Sequence, residues 1–216
     1  MFVSLRLIAL PPEREAEKEA LAAQLQALAA GLPGVRNCWI APVSPVAVIN
    51  AGHVVWRMTF ASEREVLAVV LDPAWRESVA PLLGGTQITH LGYRITRSAI
   101  VPASGGIWRA LIFRVTPQGF PDGAHALEQG LLMMPGHVSA IRSWALSPVS
   151  LCEGPKAYTH VWEQEFDGLD GLTGEYMTHP VHWGHVDAFF DAECPEYIVD
   201  PQLIQVVGAI DRTIME

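Results

Sequence analysis

The chain contains the stretch Tyr158-Thr159-His160-Val161-Trp162-Glu163-Gln164-Glu165-Phe166, and an altered copy stands earlier at His53-Val54-Val55-Trp56-Arg57-Met58-Thr59-Phe60. Trp56 matches Trp162 and Phe60 matches Phe166, both at an offset of 162 − 56 = 106 residues. A collinear repeat with a fixed offset indicates that one structural unit occurs twice. We therefore predict two units, with the boundary in the turn-rich segment 101–106, so that they span residues 1–100 and 101–216.

A second pair of segments follows these two stretches and differs in chemistry. The later segment reads Glu175-Tyr176-Met177-Thr178-His179-Pro180-Val181-His182, and the earlier one reads Val69-Val70-Leu71-Asp72-Pro73-Ala74-Trp75. Pro180 matches Pro73 at an offset of 180 − 73 = 107, which places Trp75 where the later copy has His182. The cluster of imidazole and phenol groups is therefore confined to the later copy. We expect the second unit to carry any reactive site and the first unit to be its scaffold.

Composition limits the classes of partner. The 216 residues are 50% hydrophobic and 17% charged, and 14 basic against 23 acidic residues give a net charge of −9. This charge repels phosphate backbones, so we expect no nucleic-acid partner. No apolar run reaches the roughly 18 to 20 residues of a membrane span, and the apolar start of the chain lacks a signal-peptide cleavage pattern. Three cysteines without CxxC spacing indicate reduced thiols and a cytoplasmic protein.

Hydrophobic periodicity and turn signals predict the same order of elements in both halves. In the first half we predict strands at 3–10, 37–41, 54–60 and 89–96, a helix at 12–30, and a helix that starts at the capping box Ser62 to Glu65 and breaks at Asp72-Pro73. In the second half we predict strands at 107–115, 141–146, 158–166 and 203–210, a helix at 122–133, and a helix from about Asp167 that is interrupted at His179-Pro180. The order β-α-β-β-α-β, twice, defines an α+β fold of two ferredoxin-like repeats.

One strand face suggests how the two sheets pack. Val54, Trp56, Met58 and Phe60 lie on one face of their strand, because side chains alternate along a strand. We expect helices to cover one face of each sheet and this apolar face to be the one left open. Packing the two open faces against each other buries them and gives a barrel-like body with a shared interior. A pair fused in this way needs no dimerisation, so we expect a monomer or a weak homodimer.

Five rings cluster in the second half: His160, Tyr176, His179, His182 and His185 fall within 26 residues. The last three histidines lie within a sector of about 120° on a helix, and neutral imidazoles so placed can ligate zinc, nickel or copper. No HExxH, CxxC or ligand-spaced carboxylate accompanies them. We therefore expect no metal and no cofactor, with a histidine metal site as the alternative. His179 is predicted to cap the helix and His185 to be solvated, whereas a packing role does not explain His182.

The segments 158–166 and 175–182 resemble the signature of the stress-responsive A/B barrel (Dabb) family, in the dimeric α/β-barrel superfamily. Most such proteins are about half this length and pair two chains, so the resemblance implies a tandem fusion that forms the dimeric α/β barrel within one chain. The family includes plant olivetolic acid cyclase, which closes a linear polyketide by aldol condensation. The resemblance implies His182 as catalytic base, Tyr176 as its phenol partner and His160 as a pocket residue. Arg109, or Ala110 after a one-residue shift, stands where that cyclase has another pocket histidine.

Two functions follow from this resemblance. The first is a cofactor-independent lyase or cyclase that acts on a polyketide-like or β-dicarbonyl substrate, with Trp162 and Phe166 lining the cavity and Arg109 binding a carboxylate. The second is a non-catalytic, stress-associated protein that holds a small apolar or carboxylated ligand in the same cavity. A cofactor-independent monooxygenase ranks third, on fold analogy alone. Whether the cavity is open, or is filled by aromatic side chains, separates a ligand site from a structural role.

Overall fold

Nine strands form one antiparallel sheet in the computed structural model, which describes residues 1–216. The strands are β1 (Phe2–Ala9), β2 (Asn37–Pro42), β3 (Val54–Phe60), β4 (Gln87–Arg94), β5 (Arg97–Ala99), β6 (Ile107–Phe113), β7 (Ser143–Glu153), β8 (His160–Phe166) and β9 (Ile204–Ala209). Their order across the sheet is β2-β3-β1-β4-β7-β8-β6-β9, and the short β5 pairs with β7. The sheet is thus continuous from the first half of the chain into the second.

Five α-helices connect the strands in the predicted order. They are α1 (Lys18–Ala29), α2 (Glu63–Leu71), α3 (Pro73–Leu83), α4 (Asp122–His137) and α5 (Pro180–His185). A 3-10 segment, Pro12–Glu17, precedes α1, and a π-helical segment, Gly171–Tyr176, precedes α5. The order β-α-β-β-α-β therefore occurs in each half, as predicted. None of the helices combines the length and the apolar character that crossing a lipid bilayer requires.

Local signals in the sequence account for most of the helix boundaries. The Ser62 side chain accepts a hydrogen bond from the Glu65 N–H at 3.4 Å and starts α2, while Asp72 is extended and separates α2 from α3. The predicted end of α4 near Met133 is wrong, because the helix continues through Pro135. A proline in the last turn removes one hydrogen bond, and burial of Leu131 and Met134 against the sheet outweighs that loss.

The sheet curls into a nearly closed barrel, as the packing argument predicted. Strands β4 and β7 join the two halves in antiparallel register. At the other edge, the Ile49 N–H donates to the Gln205 carbonyl at 2.8 Å, and the Gln205 N–H donates back at 2.9 Å. The Ser44 N–H also donates to the Val207 carbonyl, at 2.8 Å. The loop between β2 and β3 therefore ties the first half to β9 of the second.

A buried ion pair crosses the apolar interior of the barrel. Arg57 Nε, from the first half, lies 2.6 Å from Glu163 Oε1 of the second half, and both side chains are essentially inaccessible to solvent. The Trp108 indole N–H donates to the same carboxylate oxygen at 3.0 Å, and Arg57 Nη1 donates to the Ile214 carbonyl at 2.6 Å. Burial alone lowers the pKa of Arg57, but the Glu163 carboxylate outweighs it and the net pKa is raised.

The sequence argument chose the wrong face of β3 for the barrel interior. Val54, Trp56, Met58 and Phe60 pack in a core with residues of α1, α2 and α3. The opposite face of β3, which carries Arg57, lines the barrel interior. Every residue of β3 is buried, so hydrophobic alternation could not distinguish the two faces. From sequence alone, burying Arg57 in the barrel interior looks energetically unfavourable. Its partner Glu163, which offsets this cost, lies 106 residues away in the sequence.

Candidate functional site

A buried polar cluster lies between the sheet and the helices of the second half, where Arg109 of β6 and Gln164 of β8 are register partners. The neighbours of Arg109 along its strand, Trp108 and Ala110, belong to the core inside the barrel. Side chains alternate along a strand, so Arg109 lies on the helix side and Ala110 does not. Of the two residues that the resemblance allowed at this position, the structure therefore brings Arg109 into the cluster.

Arg109 is a buried cation with neutral hydrogen-bond partners. Its Nη1 donates to Gln164 Oε1 at 2.6 Å and its Nε donates to Gln205 Oε1 at 3.0 Å. Nη1 also lies 3.4 Å from the Tyr176 hydroxyl oxygen, yet the residue is only 3% exposed. Burial lowers the pKa of Arg109, and the nearby Tyr176 phenol opposes this shift. A buried guanidinium without a carboxylate is energetically costly, which marks this position as a candidate anion site.

Tyr176 ends the π-helical segment and connects the cluster to the helices. The Arg109 guanidinium carbon lies 5.2 Å from the centroid of the Tyr176 ring, within the range of a cation–π contact. The ring also packs edge-on against Phe166 at 5.8 Å and against His182 at 5.0 Å, between centroids. Single-turn π segments are rare and frequently occur at functional sites. Tyr176 thus contacts both the Arg109 guanidinium and the His182 imidazole.

His182 stands on α5, which begins where the His179 side chain accepts a hydrogen bond from the Val181 N–H at 3.2 Å. His182 Nδ1 lies 3.2 Å from Asp187 Oδ1, although the two groups are not aligned as a hydrogen bond. Burial lowers the pKa of His182, and the Arg109 charge lowers it further, whereas Asp187 raises it. The net effect favours the neutral imidazole. Since Nδ1 faces the carboxylate, Nε2 is the nitrogen available to accept a proton.

His160 does not join this cluster. It lies four residues before Gln164 on β8, which corresponds to about 13 Å along the strand. Its ring stacks on Phe113 at 5.1 Å, and its Nε2 lies 3.2 Å from Glu128 Oε1. Burial lowers its pKa, and Glu128 opposes this shift. His160 therefore belongs to a separate buried contact between β8 and α4.

The expected cavity walls, Trp162 and Phe166, are fully buried in the core between the sheet and α4. None of the five main cavities is lined by Arg109, Tyr176 or His182. The predicted cavity walls therefore pack within the core, and none of these five cavities reaches the cluster. No group of three or more His, Cys, Asp or Glu side chains is placed to hold a metal ion.

Sequence reasoning missed several members of the cluster. Gln164 could have been found, because it shares a strand face with Trp162 and Phe166. Gln205 and Asp187 gave no signal, since their proximity to Arg109 and His182 depends on tertiary folding. The first half also retains buried polar groups that the repeat comparison did not identify. Ser4 Oγ lies 2.9 Å from His90 Nε2, and His90 Nδ1 lies 3.0 Å from Glu153 Oε2.

This architecture, a barrel formed by two β-α-β-β-α-β halves with helices outside, is that of the ferredoxin-like α+β barrels. Residues 107–207 match the model of the Stress responsive A/B Barrel Domain (Dabb) family. No curated protein matches the chain.

Solved structures share the fold at low sequence identity. An anthrone oxidase-like protein is 13% identical with a TM-score of 0.68, and the match covers 97% of this chain and 90% of the other. A protein described as a monooxygenase, from Fusobacterium nucleatum, is 7% identical with a TM-score of 0.63, covering 99% and 94%. Another so described, from Lactobacillus acidophilus, is 8% identical with a TM-score of 0.57, covering 98% and 93%. These likenesses establish the fold.

Proposed function

We propose that the chain is a small-molecule enzyme of the lyase or cyclase type, acting on a β-dicarbonyl or polyketide-like substrate in its second half. The observation that carries this proposal is Arg109, a buried cation held by neutral groups and in contact with the Tyr176 phenol. An unpaired buried charge next to a neutral imidazole suits a reaction in which negative charge develops on a substrate oxygen.

The reaction begins with proton abstraction. His182 Nε2 takes a proton from a methylene between two carbonyls, and the electron pair of the broken C–H bond moves onto a carbonyl oxygen. Arg109 and the Tyr176 hydroxyl donate hydrogen bonds to this enolate oxygen. The enolate carbon then attacks a second carbonyl of the same substrate, which forms the C–C bond of the ring. The resulting alkoxide takes the proton back from His182, so the aldol step neither gains nor loses atoms.

The substrate reaches the cluster by displacement of the segment that carries His182. This segment contains only the six-residue helix α5 and a following 3-10 turn, Asp187–Phe189. Its Trp183 is 64% exposed and makes one hydrogen bond, from its indole N–H to the Met177 carbonyl at 2.9 Å. Within this segment only His182 and Val186 are buried, and a segment with few buried side chains opens easily. We therefore propose this segment as a cover that moves when a small apolar or carboxylated substrate binds.

Two other functions use the same site. The second candidate is a non-catalytic protein that holds a small ligand. The space around Trp162 and Phe166 is filled, so ligand binding there, like the reaction, requires displacement of the segment that carries His182. A cofactor-independent monooxygenase is favoured by the descriptions of the structural neighbours as monooxygenase or anthrone oxidase-like. It would share the proton abstraction by His182 and then add dioxygen to the enolate. We further propose a cytoplasmic monomer or weak homodimer, because one chain completes the barrel and its three cysteines are free.

Deuterium exchange into the central methylene of acetylacetone, followed by NMR, tests the first step. Wild-type protein should accelerate exchange above the buffer rate. His182→Gln should lose about 100-fold or more of that acceleration, and Tyr176→Phe about 10-fold. His185→Gln is the matched control, because His185 is exposed on the same helix and should leave the rate unchanged.

The same assay separates the alternatives. Exchange at the buffer rate in the wild type, together with saturable binding of acetylacetone, would support the ligand-binding role. Equal acceleration by the wild type and His182→Gln would contradict the assignment of the base. Product that forms only in the presence of dioxygen would favour the monooxygenase.

A further inference from the structure

A separate cavity of about 430 Å³ opens at one end of the barrel, between the two halves of the chain. Its lining includes Leu7, Ala51, Thr89, Lys156, Tyr158 and Ile204. Ile204 belongs to the core inside the barrel, whereas the next residue, Gln205, contacts Arg109 on the helix side. The cavity therefore lies on the opposite face of the sheet from the Arg109 cluster. Its volume is within the range of small-molecule sites.

The floor of this cavity combines apolar side chains with two free hydroxyls. Leu7, Ala51 and Ile204 are buried there. Thr89 and Tyr158 are each 8% exposed, and neither side-chain hydroxyl has a hydrogen-bond partner in the protein. Burial raises the pKa of Tyr158, which keeps its phenol protonated as a donor. Two unpaired donors above an apolar floor suit a molecule with a polar head and an apolar body.

Charge at the rim points to an anion. Lys156 is the one charged residue among those that line the cavity, and the Asp200 carboxylate, which contributes to the raised pKa of Tyr158, lies outside this lining. The chain as a whole carries a net charge of −9 and has only one other lysine, Lys18. The protein is acidic overall, whereas the rim of this cavity carries a cation. The rim therefore favours a ligand with a negatively charged group.

The loops that form the rim are held in place. A side chain at Gly52 would come within 2.8 Å of the Ile8 carbonyl oxygen, so this loop lies directly against β1. At Gly154, with φ +146°, a side chain would come within 3.2 Å of Thr89 Cα, so the other loop lies against β4. Cys152 Sγ lies 3.2 Å from the Lys156 carbonyl oxygen and 3.5 Å from the Tyr158 N–H nitrogen. The site is thus preformed, which lowers the entropic cost of binding.

We propose that the barrel mouth binds a small carboxylate with a short apolar body. The carboxylate accepts hydrogen bonds from Lys156 and the Tyr158 hydroxyl, and the apolar body rests on Leu7 and Ile204. This site is independent of the proposed reaction at His182, because the sheet separates the two. It requires both halves of the chain, since Leu7 comes from β1 and Ile204 from β9.

Ligand-observed NMR titration with hexanoate tests this site, with hexanamide as the neutral probe of the same shape. Hexanoate should bind the wild type more tightly than hexanamide. Lys156→Gln should raise the hexanoate dissociation constant by about 2- to 5-fold, because Lys156 is solvent-exposed, and Tyr158→Phe by about 3- to 10-fold, because Tyr158 is buried. Lys18→Gln is the matched control, because it removes the other lysine without touching the cavity.

Several results would overturn the proposal. These are no hexanoate binding by the wild type, equal affinity for hexanoate and hexanamide, or an unchanged dissociation constant in Lys156→Gln. Hexanoate binding that is unchanged in Lys156→Gln but is lost in Tyr176→Phe would place the carboxylate at the Arg109 cluster instead. Circular dichroism of each variant checks that its substitution leaves the fold intact.

Discussion

The barrel interior and the sheet–helix space of the second half each bury one arginine. The first arginine has a carboxylate partner, and the second has none. Arg57 lies inside the barrel against the Glu163 carboxylate, which comes from the other half of the chain. Arg109 lies outside the barrel wall among two glutamines and Tyr176, without an acid. A paired charge holds the two halves together. An unpaired buried charge lowers the free energy of unfolding, and destabilising groups of this kind are characteristic of functional sites.

The two halves also differ at equivalent strand positions. Arg109 pairs with Gln164 two residues from the end of β8, and the corresponding pair in the first half is Ser4 with Met58. Met58 packs in an apolar core. The first half also buries polar groups here, since Ser4 contacts His90 and Arg6 lies over the Trp56 ring. It differs in having Val69 and Trp75 where the repeat alignment places Tyr176 and His182 in the second half.

Loss of the Arg57 guanidinium should have the largest effect on stability. Arg57→Met leaves the Glu163 carboxylate buried without a partner, so the free energy of unfolding should fall by about 3–5 kcal/mol. Urea denaturation followed by circular dichroism measures this change. Adding Glu163→Gln removes the orphaned charge and should restore most of the stability. If the double variant is no more stable than Arg57→Met, the ion pair is not what joins the halves.

The repeat alignment pairs Trp75 with His182. The losses of stability caused by Trp75→Ala and His182→Ala should show the next largest difference. Trp75 packs edge-on against Trp56 with centroids 5.6 Å apart, so Trp75→Ala should cost about 3 kcal/mol. His182→Ala should cost about 1 kcal/mol, because the imidazole contributes little to packing. Thermal and urea unfolding of both variants test the contrast. Equal losses would mean that His182 is a packing residue like its counterpart.

Arg109→Met should change stability little despite complete burial of the side chain. Removing an unpaired cation offsets the loss of its hydrogen bonds, so the free energy of unfolding should stay within about 1 kcal/mol of the wild type or rise. The same variant should lose the accelerated deuterium exchange of acetylacetone. A loss of stability as large as that of Arg57→Met would instead assign Arg109 a structural role.

Acid should destabilise the protein modestly through its buried histidines. Burial lowers the pKa of His90, His160 and His182, so below the unfolded-state value of about 6.5 the unfolded chain binds more protons. Stability should therefore decrease from pH 7 to pH 5, by at most about 1.4 kcal/mol per pH unit for each histidine. His182→Gln should reduce this slope relative to the wild type. Identical slopes would exclude His182 from the effect.

The sequence predicted the fold better than it predicted the site. Alternation, capping and the prolines at 73 and 180 were sufficient for the order of the elements, because these signals are local. The interior face of β3 could not be assigned, since the partner of Arg57 is distant in sequence. Arg109, Tyr176 and His182 do come together, but His160 does not, and Gln205 and Asp187 were missed. Contacts between distant segments depend on register and helix placement, which residue patterns do not specify.

We propose that Arg109, Tyr176 and His182 form one electrostatic unit in the second half. An NMR titration of the His182 imidazole in the wild type and in Arg109→Gln tests it most directly. The His182 pKa should lie below the ordinary value of about 6.5 in the wild type and should rise once the Arg109 charge is removed. An ordinary pKa that is the same in both proteins would contradict the claim.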